Sequence, residues 1–401
     1  MGNTTMRILT VAVLALWAVP VAAAPRQDGE LAKKLKETYA AAAGQLVERQ
    51  DASGAWKMGP KGKETPSPSS TALIVASLAQ APEPVRAQFR EATAKGLGFI
   101  LSRANLDGSF GEGPTGGFLK TYTTALCLVA LSSVERTDKV ADAIRGAQAY
   151  LKNNQLKEGP HEGGLGYGDA PKDKTGRGDL SVTGFAAEGL KASGLPQDDE
   201  FWKLVVKFVR KCQNNSEVNN DPEFLAELKA KNMSVGEDGG LYYAPVASEK
   251  ASPAGTKMVA NKTVIASYGA MTYDGIKTYL YAGLKKDSPE VKSAMDWVRK
   301  NYSLDAHPGF VYEEVKRNHL RGIYYYYLLM ARALDAYGEN PLESFDGKKH
   351  DWPREMAEQF LKVVRDSKMW MNDNPAWYED DPVITTSYVL WTCDLLLKYV
   401  R

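Results

Sequence analysis

Apolar positions along this chain fall into two alternating helical patterns separated by short loops. One pattern is amphipathic: Val140, Ile144, Ala147 and Leu151 form a single stripe after Thr137, and Trp202, Val205, Val206 and Val209 form another after Pro196. Ser288-Pro289 and Asp351 with Pro353 give start signals for two more, ahead of Val291, Met295 and Val298 and of Met356, Phe360 and Val363. The other pattern is apolar or small on nearly every face, over residues 70–79, 121–132, 180–191, 263–283, 322–334 and 384–397. A stripe predicts a helix with one solvated side, and an all-round apolar segment predicts a helix buried on both sides. The expectation is twelve helices, six outer and six inner.

Six loops join outer to inner helices, with cores Gly54-Ala55-Trp56, Gly108-Ser109-Phe110, Gly164-Leu165-Gly166-Tyr167, Gly240-Leu241-Tyr242, Gly309-Phe310-Val311-Tyr312 and Asn374-Pro375-Ala376-Trp377. A hairpin that buries only one face of its outer helix cannot stand alone, so six must stack, and at this number they can close. The predicted fold is all-α, an α6/α6 toroid: a double ring of six helical hairpins. An open TPR-like or HEAT-like solenoid shares the pairing but not the Gly-aromatic loop. Residues 213–261, with a short helix around 223–231, read as an insertion in the fourth unit of a single domain over 25–401.

Ahead of that domain, Arg7, an apolar run from Ile8 through Val21 and a close on Ala22-Ala23-Ala24 read as a signal peptide over 1–24. The run is shorter than the ~20 residues that span a bilayer, which disfavours an uncleaved anchor. Three scattered cysteines, Cys127, Cys212 and Cys393, sit in apolar helical patterns and read as buried free thiols. Export without a disulfide framework suits a secreted or periplasmic bacterial protein. Lys and Arg number 50 against 49 Asp and Glu, interleaved, which leaves no electrostatic footprint for nucleic acid or an anionic membrane.

Gln50-Asp51-Ala52-Ser53-Gly54-Ala55-Trp56 fits the Q-x-x-x-G-x-W motif of the squalene cyclase and protein prenyltransferase superfamily, and Asp107-Gly108-Ser109-Phe110-Gly111 resembles its D-G-S-W form. The resemblance implies the same toroid, with the loop aromatic packed between units. It does not carry over the family's chemistry. The Asp-x-Asp-Asp-Thr-Ala acid segment is replaced by Ser67-Pro68-Ser69-Ser70-Thr71-Ala72, Lys120-Thr121-Tyr122-Thr123-Thr124-Ala125 and Asp179-Leu180-Ser181-Val182-Thr183-Gly184. A hydroxyl cannot replace a raised-pKa acid as donor to an alkene. The prenyltransferase Asp-x-Cys zinc motif and the Cys-Gly-Glu-Gln thioester motif are also missing, and no metal or cofactor is expected.

Chemistry is therefore sought at the rim and in the central channel. Asp274, beside Tyr273 in an inner helix otherwise rich in Gly and Ala, is the first candidate for a functional carboxylate, and Asp179 is the second. Tyr324 and Tyr325 open the run Tyr324 to Tyr327, of which one or two can face the channel as acid or base. Tyr122, Thr123, Ser181, Tyr268, Thr272, Thr385, Thr386 and Trp377, with the rim residues His319 and Arg321, are candidate ligand contacts. Lys172, Lys174 and Arg177 make the rim partly basic, and Glu379-Asp380-Asp381 makes one acidic corner. Three functions stay open: a cavity for an apolar or amphiphilic ligand with altered or absent catalysis, a carbohydrate-active enzyme resembling a polysaccharide lyase, and a non-catalytic interaction scaffold. An aromatic, deep channel favours the first, an open polar cleft the second, and a filled barrel the third.

Overall fold

A computed structural model describes residues 28–400 apart from 60–61, 112–116, 118 and 171–175. The leader expected over 1–24, and Lys172 and Lys174, lie outside the described residues. Outer and inner helices alternate as expected. α1 (Asp28–Val47) leads to α2 (Pro68–Gln80), and the short α3 (Val85–Gln88) with α4 (Arg90–Ser102) leads to α5 (Lys120–Ser132). α6 (Asp138–Asn154) precedes α7 (Leu180–Ala192), and α8 (Glu200–Lys211) with the small α9 (Pro222–Ala230) precedes α10 (Gly269–Tyr281). α11 (Pro289–Asn301) pairs with α12 (Ile323–Tyr337), and α13 (Trp352–Val363) with α14 (Pro382–Leu396).

Inner helices touch in the order α2, α5, α7, α10, α12, α14, and α14 returns to α2, so the ring is closed. The fold is an all-α, α6/α6 toroid. At the closure the Ser77 hydroxyl reaches the Ser387 carbonyl at 3.4 Å, and Tyr39 of α1 donates to the Ser77 carbonyl at 3.1 Å. The fourth inner helix, expected from residue 263, starts at Gly269. Lys262–Ile265 instead forms a strand between Met233–Ser234 (parallel) and Thr256–Val259 (antiparallel). Val264 and Ile265 are β-branched and buried in that small sheet, and Asn261 turns at φ +63° just before it, which stops the helical pattern early.

One hydrogen-bond arrangement recurs around the ring. The loop amide of Trp56, Phe110, Leu165, Leu241 or Trp370 donates to the hydroxyl of Thr71, Thr124, Thr183, Thr272 or Thr386, at 2.9–3.1 Å. In the first four units that hydroxyl donates in turn to the carbonyl four residues earlier in its own helix, at 2.6–3.0 Å. Each threonine thus bolts a loop to the first turn of an inner helix. The fifth unit has Tyr326 at this register. There the imidazole of His307 replaces the bolt, its Nε2 accepting the Ala270 amide at 2.9 Å and its Nδ1–H donating to the Arg321 carbonyl at 2.6 Å.

The bolts correct three loop assignments. Leu165 and Leu241, rather than Tyr167 and Tyr242, occupy the position of Trp56, and in the sixth unit it is Trp370 rather than Trp377. The indole of Trp370 donates to the Phe360 carbonyl at 3.0 Å as that of Trp56 does to Leu46 at 2.6 Å. Lys368 (φ +63°) stands where Gly54 (φ +87°) stands in the first loop, which hid the match. At Gly163 (φ +90°) a Cβ would run into the Leu204 carbonyl of α8, so the glycine there sets the distance to the next outer helix.

A second clip joins neighbouring units. The side-chain amide of Gln50 donates to the Gly54 carbonyl at 3.0 Å and to Ala92 of α4 at 2.9 Å. Gln155 does the same toward Gly163 and Phe201, and Gln213 toward Gly239 and Glu290, at 2.9–3.2 Å.

Thr183→Val should leave the buried Leu165 amide unpaired and lower the unfolding free energy by about 1–3 kcal/mol, whereas Thr183→Ser should retain most of the stability. Urea denaturation followed by circular dichroism distinguishes the two.

Candidate functional site

The bolts fix which side chains face the axis. Two residues before the threonine come Ser69, Tyr122, Ser181 and Ile384, and two after it come Leu73, Leu126 and Tyr388, all on the wall of a central cavity of about 590 Å³. Tyr325, beside Tyr326, gives the contribution of α12 and Met271, beside Thr272, that of α10, so all six inner helices take part. Loop residues two beyond the bolted amide also face inward: Met58 after Trp56, Tyr167 after Leu165, and Tyr243 after Leu241. Tyr268, Trp377 and Tyr378 frame the upper wall, and the charged lining residues are Glu249 and Lys250, both exposed at the mouth.

Tyrosine hydroxyls give this apolar wall its polar points. Tyr325 and Ser181 hydroxyls lie 2.9 Å apart, as do those of Tyr243 and Tyr167. The ring of Phe185 seals the floor, facing Tyr122 at 5.2 Å and Tyr325 at 6.0 Å, with the ammonium of Lys277 5.4 Å away. Below it, Lys277 pairs with Asp274 and Glu188 at 2.8 Å, and Glu188 pairs with Arg332 at 2.7 Å. Arg332 stacks at 3.7 Å on Trp391. Burial opposes charge on Lys277, but the two carboxylates outweigh it and hold its pKa up.

Asp274 therefore does not line the cavity. It occupies an inward register of α10, but its carboxylate lies against Gly184 of α7 beneath the floor, where burial pushes its pKa up to about 6 and Lys277 pulls the other way. Tyr273 packs on Tyr326 at 5.6 Å, away from the axis. Tyr324 packs edge-on against Tyr327, also off the lining. Thr272 and Thr386 are bolts, Thr385 donates to the Glu379 carbonyl at 2.8 Å, and Thr123 is buried in α5 outside the lining. His319 stacks on Tyr312 at 4.2 Å in the loop before α12, and the Arg321 guanidinium lies 5.8 Å from both Phe310 and Trp377; neither joins the wall. Of the sequence candidates, Tyr122, Ser181, Tyr268, Tyr325 and Trp377 come together at the cavity.

Asp179 sits just behind the wall. It caps α7 through the Val182 amide at 2.9 Å, and the nearby Tyr243 hydroxyl favours its carboxylate form. Burial pushes its pKa up to about 7 against both of those effects. The acidic corner is divided. Glu379 is fully buried and accepts the amides of Tyr325 at 2.7 Å and Tyr324 at 3.3 Å, closing the first turn of α12 from another segment. Its pKa also rises to about 7 through burial. Asp381 caps α14 at the Val383 amide. Among the described residues no three His, Cys, Asp or Glu side chains group so as to hold a metal ion, and no helix is long and apolar enough to cross a membrane.

This architecture is similar to that of several solved structures. One is a variant of the type II terpene cyclase MstE from Scytonema in complex with merosterolic acid A, its product (15% identity, TM-score 0.54, covering 92% of this chain and 99% of that one). Another is D-mannose isomerase (14%, TM-score 0.54, covering 94% and 100%). A third is an inactive variant of the α-1,6-mannanase GH76A of Salegentibacter sp. HEL1_6 in complex with α-1,6-mannotriose (12%, TM-score 0.53, covering 94% and 100%). The chain shares their fold. No protein-family model and no curated protein sequence matches it. Sequence reasoning placed Tyr167 in a loop core and did not single out Tyr243 or Tyr388; their fixed offset from the bolt is the signal that finds all three.

Asp179 and Glu379 have folded-state pKa values above those of the unfolded chain, so between about pH 4 and pH 7 the folded state binds more protons and stability falls as pH rises. Glu379→Gln should flatten that slope relative to the wild type, as read from urea midpoints across the range.

Proposed function

We propose that this protein binds an amphiphilic ligand, with a long apolar body and one or two hydroxyl or carbonyl groups, in its central cavity. The observation that carries this is the wall itself: about 590 Å³ bounded by Leu, Met, Ile and aromatic side chains, with polarity supplied by hydroxyls and with charge confined to the mouth. That volume lies within the range of small-molecule sites, and isolated hydroxyls orient a ligand without the cost of burying an ion. Solved structures of this fold include one holding merosterolic acid A, which supports an apolar guest by analogy.

Ordinary acid-initiated cyclisation of an alkene is not part of the reading, because the wall carries Ser69, Ser181 and Ile384 where an acid would be needed. Kinship with the squalene cyclase and prenyltransferase superfamily is part of the reading and rests on the Gln50 to Trp56 motif and the Asp107 to Gly111 loop, in the same fold as a type II terpene cyclase. Within the reading, Tyr122, Ser181, Tyr268, Tyr325 and Trp377 contact the ligand, and residues 1–24 direct the chain to a secreted or periplasmic location. A carbohydrate enzyme is the second reading, favoured by the mannose isomerase and mannanase of the same fold. Against it, His319 and Arg321 do not converge with the tyrosines on an open cleft.

A dodecylphenol should quench the tyrosine and tryptophan fluorescence saturably, and Leu126→Trp, which fills the cavity from α5, should weaken binding at least about tenfold, ~1.4 kcal/mol. α-1,6-Mannotriose should not bind. Saturable mannotriose binding in place of the phenol, or an affinity unmoved by Leu126→Trp, would overturn the reading.

A further inference from the structure

Three polar groups meet at the start of α7, where the loop after α8 crosses the barrel mouth. Asp179 is only 3% exposed and uses one carboxylate oxygen as the α7 cap. The Tyr243 hydroxyl donates to that of Tyr167 at 2.9 Å, and it lies close enough to the same carboxyl group for each to shift the other's proton affinity. Both tyrosine rings line the cavity, whereas Asp179 does not. A Ser or Asn would cap α7 equally well, and Phe would fill either ring position, so neither the helix nor the packing accounts for this set of oxygens.

We propose that Asp179, Tyr243 and Tyr167 form a proton-transfer chain that ends at the cavity, exchanging a proton with a ligand atom placed against the Tyr167 hydroxyl. The inference rests on the cavity being the ligand site. In the forward sense the Asp179 carboxyl O–H breaks and its proton passes to the Tyr243 oxygen. Tyr243 gives its own proton to Tyr167, and Tyr167 gives its proton to the ligand. Each tyrosine ends neutral, Asp179 ends as carboxylate, and the ligand has gained one proton; the reverse path deprotonates it. No other reactant is required.

The surroundings suit such a store. Burial leaves both forms of Asp179 accessible near neutral pH, while Tyr167 is pushed up to about 12 and Tyr243 higher still, so the relay oxygens stay protonated. Around Asp179, Arg177 on the preceding loop favours the carboxylate and Asp274 of α10 opposes it. Tyr268 before α10 and Cys212 after α8 also feel its charge, and burial keeps both in their neutral forms.

Infrared difference titration of the full chain tests the store directly. Protonated-carboxyl intensity from Asp179 and Glu379 should disappear with midpoints near 7; the Asp179 component is the part that remains in Glu379→Gln and is missing from Asp179→Asn, which keeps the helix cap. Tyr243→Phe removes a hydroxyl that favours the carboxylate and should raise the midpoint by about one unit, a tenfold gain in proton affinity; Tyr167→Phe should move it the same way by less. An Asp179 component unmoved by both tyrosine variants overturns the proposal. The ligand end is read with a dodecyl-nitrophenol, whose phenolate absorbs visibly. Its ionisation midpoint when bound should differ between the wild type and both Asp179→Asn and Tyr167→Phe. If it binds to all three with one midpoint, the relay is overturned while the cavity reading stands. If neither this phenol nor dodecylphenol binds to the wild type, both fall.

Discussion

A threonine hydroxyl that accepts from a loop and donates to its own helix is the interaction on which this molecule is organised. A loop amide buried between two helical layers must find a partner, and a threonine in the first turn of the inner helix supplies one without adding charge. In the first four units that hydroxyl is held in both directions, which fixes the rotation of the inner helix about its axis relative to its loop; Thr386 in the sixth unit and His307 in the fifth hold the remaining two. In α2, α5, α7 and α14 residues two before or two after the threonine are thereby turned to the axis. Cavity composition is then a matter of what stands at those offsets: serine, leucine, isoleucine and tyrosine rather than carboxylates.

Much of the architecture was legible in the chain because it follows from periodicity. All-round apolar segments such as residues 121–132 could only be inner helices, and the stripe after Thr137 could only be an outer one. What escaped was substitution within the repeat. Lys368 takes the left-handed position that glycine holds elsewhere, so Trp370 went unseen and Trp377, which stacks at the cavity mouth, stood in for it. The site was less legible for a related reason. Asp274 drew attention as a lone carboxylate among Gly and Ala; its partner Lys277, three residues on in the same helix, is at a spacing the sequence does show and was overlooked, whereas its bed on Gly184 and the second partner of Lys277, Glu188, belong to another helix that spacing along one segment cannot show. Tyr122, Ser181, Tyr268 and Tyr325 were found because hydroxyls at inner-helix starts have few places to point.

Polar groups are sorted by depth. The upper barrel keeps hydroxyls and neutral or titratable acids; the lower barrel keeps Asp274, Lys277, Glu188 and Arg332, two of each sign, under the Phe185 ring. A balanced set of buried ions is costly to assemble but more costly to break, since removing one member strands the others. Such a floor resists the entry of a guest deeper into the barrel and gives the cavity a defined bottom. Glu379 has a comparable part higher up: by accepting the amides of α12 from a different segment, it ties the strained turn of Trp377 and Tyr378, at φ +60° and +62°, to the helix whose side chains the turn overhangs.

Closure of the ring has a consequence for how the molecule comes into being. The contact between α14 and α2, with Ser77 reaching Ser387 across 310 residues, joins the first inner helix to the sixth. During synthesis the flanks of α2 and α1 that meet α14 have no final neighbour until α14 has left the ribosome. Folding must therefore finish by an end-to-end docking step of high contact order, and every incomplete chain presents an apolar seam to its surroundings. A truncated form lacking α14 would expose that seam permanently, which makes the final fifteen-residue helix the element that turns a row of hairpins into a vessel.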